Sequence, residues 1–166
     1  MKVKKLMLGL AVTALGLGLV ACGGSDSPAV KSGGVAQDQS PAAATVAVAD
    51  NPAQGSILVD GRGRTLYLFE QDNGTTSACT GACAQVWPAL TAAKPSAGTG
   101  ADASKLGTAN GQVAQQVTYG GHLLYTYSGD AAPGDVKGTT IPGWYPVNPS
   151  GAKVDKDDDN SKPGGY

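Results

Sequence analysis

Two segments with the same pattern decide the fold: ILVDGRGRTLYLFEQD, residues 57–72, and QQVTYGGHLLYTYSGD, residues 115–130. In each, a short run with β-branched residues leads into a glycine-containing turn and then into a second, apolar run. Runs joined by such turns predict a β-hairpin. The second segment follows the first by 58 residues, and this shift superposes Tyr67 on Tyr125, Phe69 on Tyr127, and Asp72 on Asp130. We therefore expect a domain with two related halves.

The second strand of each hairpin carries apolar side chains on both faces. Because side chains alternate along a strand, Tyr67 and Phe69 share one face while Leu66 lies on the other. Such a strand is expected to be central and covered on both sides, so that buried phenol groups need partners. We expect Asp72 and Asp130, which follow these strands, to accept backbone N–H groups in Asx-type turns. A ligand-facing carboxylate is the alternative.

Both strands fit the motif Y-x-[FWY]-x-x-D, formed here by Tyr67, Phe69 and Asp72 and by Tyr125, Tyr127 and Asp130. With the blocks at residues 77–90 and 143–147, the chain resembles a bacterial family of predicted lipoproteins built from a secreted repeat of unknown function. Because the family has no established activity, the resemblance assigns neither an activity nor a catalytic residue to this chain. We expect a mainly β, small single domain at residues 44–150, with repeats at about 56–90 and 115–148 and one short helix near the cysteine pair.

Cys79 and Cys83 are the two cysteines of this domain. An even pair in an exported protein indicates a disulfide, and the spacing suits one that fixes the start of a short helix ahead of Trp87. A redox-active pair is an alternative. Metal binding is another, although zinc needs four ligands and only His122 is available to join the thiolates. We expect no metal and no cofactor.

The N-terminus indicates export. Three lysines in residues 1–5 precede an uncharged apolar stretch, Leu6–Val20, which is short for a membrane span and fits a signal peptide at residues 1–21. The stretch ends in Leu-Val-Ala-Cys, which resembles the lipobox of bacterial lipoproteins, so Cys22 is the expected lipidation site. Residues 22–43 are rich in Gly, Ser, Pro and Ala and predict a flexible tether with a reach of roughly 25 Å.

Charge argues against nucleic acid as a partner. The chain has 12 basic and 13 acidic residues, and three of the basic ones belong to the leader. No basic stripe remains for a phosphate backbone. Residues 151–166 predict an acidic disordered tail, with calcium binding by the run Asp155–Asp159 as the alternative.

These features predict a lipid-anchored protein outside the cytoplasm, in the outer membrane if the host has one. Its partners would be the membrane, through lipid on Cys22, and an unknown envelope protein or ligand. We expect a non-enzymatic binding, scaffold or stress-related accessory module. The alternative is a redox or electron-transfer accessory that uses Cys79 and Cys83. A hydrolase using His122, Ser128 and Asp130 would lack the usual Gly-x-Ser-x-Gly elbow.

Overall fold

The structure is a computed structural model that describes residues 45–156. Within this range the chain forms eight strands, β1 to β8, and one short helix, α1: β1 (Thr45–Asn51), β2 (Gly55–Asp60), β3 (Tyr67–Phe69), α1 (Ala82–Val86), β4 (Ser96–Ala97), β5 (Leu106–Ala109), β6 (Gln116–Tyr119), β7 (His122–Leu123) and β8 (Trp144–Pro146). Two 3₁₀ segments lie at Ala103–Lys105 and Lys137–Thr140. The predicted mainly β domain with a short helix beside the cysteine pair is confirmed.

The strands form three small sheets. β1 lies between β2, to which it is antiparallel, and β4, to which it is parallel. β6 lies between β5 and β7, with antiparallel pairing on both sides. β3 pairs with β8 and not with a strand of its own repeat.

Both predicted hairpins form. In the first, Asp60 ends β2 and its carboxylate accepts the backbone N–H groups of Arg62 and Arg64 at 2.9 and 3.0 Å. In the second, β6 and β7 are joined through Gly120 and Gly121, whose φ angles of 59° and 89° are ones that glycine adopts without strain. The second strand of each hairpin is shorter than the sequence indicates because the chain changes partner: the Leu66 N–H donates to Leu58 O, but the next residue bonds to the other repeat.

The two repeats meet at Tyr67 and Tyr125. The Tyr67 N–H donates to Tyr125 O at 2.9 Å, and the Tyr125 N–H donates to Tyr67 O at 3.0 Å. These residues are equivalent in the two repeats, so an approximate two-fold axis lies between them. Tyr67 also pairs with Pro146 of the second repeat, and Tyr125 with Ala89 of the first. Each aromatic strand therefore lies against the tryptophan-bearing segment of the other repeat.

The core divides into two clusters, as the alternation along β3 predicts. Aliphatic residues form most of one cluster: Val46, Leu58, Leu66, Leu68, Leu90, Val117, Tyr119, Leu124 and Val147. Aromatic residues dominate the other: Tyr67, Cys79, Trp87, Leu123, Tyr125 and Trp144, with Phe69 and Tyr127 packed against them. The aromatic strands are thus covered on both faces, which is the arrangement expected for them.

The C-terminal boundary of the domain lies beyond the predicted residue 150. Lys153 pairs with Val147, and the Val154 N–H donates to Pro146 O at 2.8 Å. The Lys153 ammonium lies 3.2 Å from a Glu70 carboxylate oxygen and 4.4 Å from the centre of the Tyr145 ring. Residues 151–155 therefore belong to the domain, because backbone bonds and ion pairs hold them there.

The predicted signal peptide, Cys22 and the tether lie outside the described residues, as do residues 157–166 of the predicted tail. Within residues 45–156, no helix has the length and hydropathy needed to cross a membrane.

Candidate functional site

The tyrosine and aspartate of the repeated motif pair between the repeats. The Tyr67 hydroxyl donates to Asp130 Oδ2 at 2.7 Å, and the Tyr125 hydroxyl donates to Asp72 Oδ2 at 2.8 Å. Both tyrosines are 0% exposed and Asp130 is 6% exposed. Each buried phenol group therefore has the hydrogen-bond partner that was expected for it, and that partner belongs to the other repeat.

The second oxygen of each carboxylate orders the chain that follows it. Asp72 Oδ1 accepts the Ala78 N–H at 2.8 Å, and Asp130 Oδ1 accepts the Lys137 N–H at 2.9 Å. The carboxylates thus accept backbone N–H groups as expected. The donors lie six and seven residues further on, whereas an Asx-type turn uses a donor two residues on. Each aspartate therefore closes a larger loop while it also joins the repeats.

Burial raises the pKa of all four groups in the two pairs. Burial is the main cause that raises the pKa of Asp130, and the hydrogen bonds from Tyr67 and from the Lys137 backbone oppose it. Burial likewise raises the pKa of Asp72. The pKa of Tyr67 and that of Tyr125 lie well above the ordinary value of 10.0, chiefly because of burial, with the neighbouring carboxylate as a further cause. The tyrosines are therefore held as neutral donors.

Four aromatic rings form a continuous stack next to these pairs. Trp87 and Trp144, one from each repeat, are parallel within 1° with their ring centres 3.7 Å apart. Phe69 is stacked on the outer face of Trp144 at 4.3 Å, and Tyr127 contacts Trp87 at 4.5 Å with its ring tilted by 35°. We call these residues the four-ring stack. Its two inner rings are 3% and 4% exposed, whereas Phe69 and Tyr127 are half-buried.

The two buried tyrosines contact the stack edge-on. Tyr67 meets Trp87 at 5.2 Å and 78°, and Tyr125 meets Trp144 at 5.1 Å and 89°. These T-shaped contacts are favourable because the positive edge of one ring faces the negative face of the other. A Cβ at Gly138 would lie 2.7 Å from atoms of both Tyr67 and Trp87, so only glycine fits there.

The predicted disulfide between Cys79 and Cys83 is present and lies against the same cluster. Cys79 is buried. Cys83 lies in α1, which ends where the Trp87 N–H donates to Cys83 O at 2.8 Å. Ser77 Oγ accepts a hydrogen bond from the Cys79 N–H and lies 2.7 Å from the Tyr125 hydroxyl oxygen. The disulfide loop is thereby connected to one of the two tyrosine–aspartate pairs.

The other sequence candidates do not assemble into a reactive group. His122 is exposed at the start of β7, and both Asp130 oxygens are already bonded to Tyr67 and to the Lys137 N–H. Within the part of the chain that the structure describes, no three His, Cys, Asp or Glu side chains lie close enough to hold a metal ion. The arrangement expected of a Ser-His-Asp hydrolase is therefore not formed.

Two glutamines support the site without having been predicted. Gln112 Nε2 donates to Cys79 O at 3.0 Å and to Trp87 O at 3.2 Å. Gln116 is fully buried; its side-chain oxygen accepts the Gln112 N–H and its amide donates to Leu124 O. Gln116 lies in the first strand of its hairpin, at a position that is apolar in the other repeat. This difference between the repeats could have indicated a buried polar role for Gln116.

The comparison with protein-family models agrees with this two-repeat architecture. The model of a secreted repeat of unknown function matches residues 48–91 and again residues 107–148, which together make up more than half of the chain. These ranges overlap the repeats predicted at about 56–90 and 115–148. Searches of curated proteins and of solved structures found no match. The chain therefore belongs to the family of secreted repeats of unknown function, with both copies in one interlocked domain.

Proposed function

We propose that this protein is a lipid-anchored, non-enzymatic accessory module of the cell envelope, which binds or scaffolds a partner through its surface. The secreted family supports a location outside the cytoplasm. The lipobox-like sequence before Cys22 supports attachment to the membrane, because two acyl chains on one cysteine suffice for stable anchoring where one chain does not.

The observation that carries the non-enzymatic role is the reciprocal pairing of the motif residues. A catalytic acid or base must reach the proton that it transfers on a substrate. Tyr67 and Tyr125 are 0% exposed, and their hydroxyl groups donate to Asp130 and Asp72. The motif therefore holds the two repeats together, and recognition of a ligand or partner falls to other, exposed residues.

Metabolic labelling with a fatty-acid analogue tests the anchor. We expect the full-length protein to carry the label and to fractionate with membranes, whereas Cys22→Ala loses both properties. The matched control is the double variant Cys79→Ala/Cys83→Ala, which removes two other cysteines and should stay labelled. Undiminished label on Cys22→Ala would contradict lipidation at this residue.

A redox accessory that uses Cys79 and Cys83 is the second candidate, favoured by the contact of the disulfide with the aromatic cluster. Thiol–disulfide exchange requires access to a sulfur atom; Cys79 is buried and Cys83 is half-buried, so an attacking thiolate could reach only the Cys83 sulfur. Equilibration of the folded protein with thioredoxin-like reductants distinguishes the two. Resistance of the disulfide supports the structural role, and rapid reversible reduction supports the redox role.

A further inference from the structure

We propose that Asn73 is a site of spontaneous covalent modification, at which the backbone nitrogen of Gly74 attacks the side-chain amide and converts the residue into aspartate and isoaspartate. The reaction needs no enzyme, and its co-reactant is water. Its product loosens the hydrogen-bonded pair of Tyr125 and Asp72 and leaves the other tyrosine–aspartate pair intact. The modification depends neither on the lipid anchor nor on a partner.

The residue that follows each asparagine narrows the candidates. Cyclisation requires a backbone N–H on that residue and is least hindered when the residue is glycine, which has no side chain. Residues 45–156 contain four asparagines. Asn51 and Asn148 precede prolines, which have no N–H. Asn73 and Asn110 each precede a glycine, so these two meet the chemical requirement.

Asn73 lies at the exposed tip of a hairpin. Its backbone forms two hydrogen bonds of 3.0 Å with that of Thr76, and these enclose Gly74 and Thr75. All four residues are exposed, and a Cβ added to Gly74 would have no atom within 4 Å. The opening that brings the Asn73 side chain onto the Gly74 nitrogen therefore involves only exposed residues and the two bonds of the turn.

Gly111, by contrast, is held by the core, although Asn110 itself is exposed. A Cβ added to Gly111 would lie 2.5 Å from Gln116 Oε1 and 2.6 Å from Leu123 Cδ2, and both of these residues are buried. The next backbone N–H, that of Gln112, donates to the same Gln116 oxygen at 2.7 Å. Cyclisation at Asn110 would require the backbone to leave this packing. We therefore expect Asn110 to stay unreacted while the protein is folded.

The reaction balances with water alone. Loss of the Gly74 amide proton frees the nitrogen to attack Asn73 Cγ; a C–N bond forms and the Cγ–Nδ2 bond breaks. The amide group takes up a proton and leaves as ammonia, and a cyclic imide remains. Water then opens one of the two acyl C–N bonds of the imide. Cleavage at Cγ gives aspartate, and cleavage at the backbone carbonyl carbon gives isoaspartate, whose main chain runs through Cβ and Cγ.

The product lies beside one of the two tyrosine–aspartate pairs. Asp72 accepts the Tyr125 hydroxyl with Oδ2 and the Ala78 N–H with Oδ1, so Asn73 lies within the loop that this carboxylate closes. Isoaspartate lengthens the main chain of that loop by one methylene group. The new carboxylate also repels Asp72, whose pKa is already raised by burial. The equivalent position in the second repeat is Ala131, so the other pair has no such site beside it.

Ageing of the folded full-length protein in heavy-oxygen water tests the site. Trypsin cleavage after Arg64, Lys105 and Lys137, in ordinary water, places Asn73 and Asn110 in separate peptides for mass spectrometry. We expect the Asn73 peptide, and not the Asn110 peptide, to accumulate labelled aspartate and isoaspartate, faster at higher pH because the attacking nitrogen must lose its proton. In urea both peptides should react. An unreacted Asn73 peptide, or an Asn110 peptide that reacts as fast in the folded protein, would overturn the proposal.

Hydrogen exchange tests the consequence for the pairs. In the aged protein we expect faster exchange at the Ala78 N–H and unchanged exchange at the Lys137 N–H, each of which is bonded to the aspartate of one pair. Asn73→Gln keeps a side-chain amide but hinders ring closure, so ageing should leave both N–H groups unchanged. Asn110→Gln is the matched control and should age like the unmodified protein. Unchanged exchange at Ala78 after modification, or equal acceleration at Lys137, would overturn the link to a single pair.

Discussion

The hydroxyl of Tyr67 and the carboxylate of Asp130 lie 2.7 Å apart although the two residues are 63 positions apart in the chain. The equivalent residues, Tyr125 and Asp72, form the same bond in the opposite sense at 2.8 Å. Each copy of the motif thus supplies the donor for one bond and the acceptor for the other. The repeat is therefore a unit that is completed only by its second copy.

Lowering the pH should change the contribution of the two aspartates to stability in the opposite sense to that of an ordinary ion-paired carboxylate. Because burial raises their folded-state pKa above 3.8, the folded protein binds more protons than the unfolded chain between these two values. Their contribution to stability is therefore fully present below 3.8 and is lost as the pH rises through the folded-state pKa.

The comparison that isolates this contribution is between the unmodified protein and Asp72→Asn/Asp130→Asn. Carboxyls with a lowered pKa, such as Asp135, act in the opposite sense but remain in both proteins. We expect the difference in unfolding free energy, measured by urea titration, to shift in favour of the unmodified protein as the pH falls from neutral to 3.8. A shift in favour of the variant would contradict the raised pKa.

The inner and outer rings of the stack should differ in their contribution to stability. Trp144→Ala removes a ring that is 4% exposed and contacts three other aromatic residues, so we expect a loss of about 3–5 kcal/mol. Phe69→Ala removes a half-buried ring at the end of the stack and should cost less, about 2 kcal/mol. Urea unfolding measures both, and equal losses would show that the outer ring is as well buried as the inner one.

The disulfide should contribute modestly because it encloses few residues. Cys79 and Cys83 are four positions apart, and loop-closure entropy for so short a loop corresponds to about 2 kcal/mol. We expect Cys79→Ala/Cys83→Ala to fold and to lose about this amount of unfolding free energy. Alkylation of the unmodified protein without reductant, followed by mass spectrometry, should find neither thiol modified. Two alkylated thiols in the exported protein would contradict a structural disulfide.

Local patterns in the sequence were sufficient to predict the two hairpins and the division of the core into two clusters. Alternation around Tyr67 places it opposite Leu66, and the structure puts these residues in different clusters. Alternation specifies a face but not the residue met on it, so the bond from Tyr67 to Asp130 and the stacking of Trp87 on Trp144 could not be predicted. Both depend on how two distant segments pair.

The C-terminal boundary was missed for a related reason. A charged, turn-rich segment is typical of a solvated tail, and nothing local distinguishes Lys153 from its neighbours. Its partner Glu70 is 83 positions away in the chain. Contacts of this kind follow from the fold and have no signature within the segment itself.

A double-mutant cycle on Tyr67 and Asp130 tests most directly whether the motif joins the repeats. Tyr67→Phe and Asp130→Ala, made singly and together, should give a coupling energy of about 1.5–3 kcal/mol, the range for a hydrogen bond to a charged group. The matched cycle uses Tyr67→Phe with Asp72→Ala, the aspartate of the same repeat, and should give about 0.5 kcal/mol or less. Strong coupling of Tyr67 to Asp72 with none to Asp130 would mean that each motif acts within its own repeat, and would contradict the interlocked arrangement.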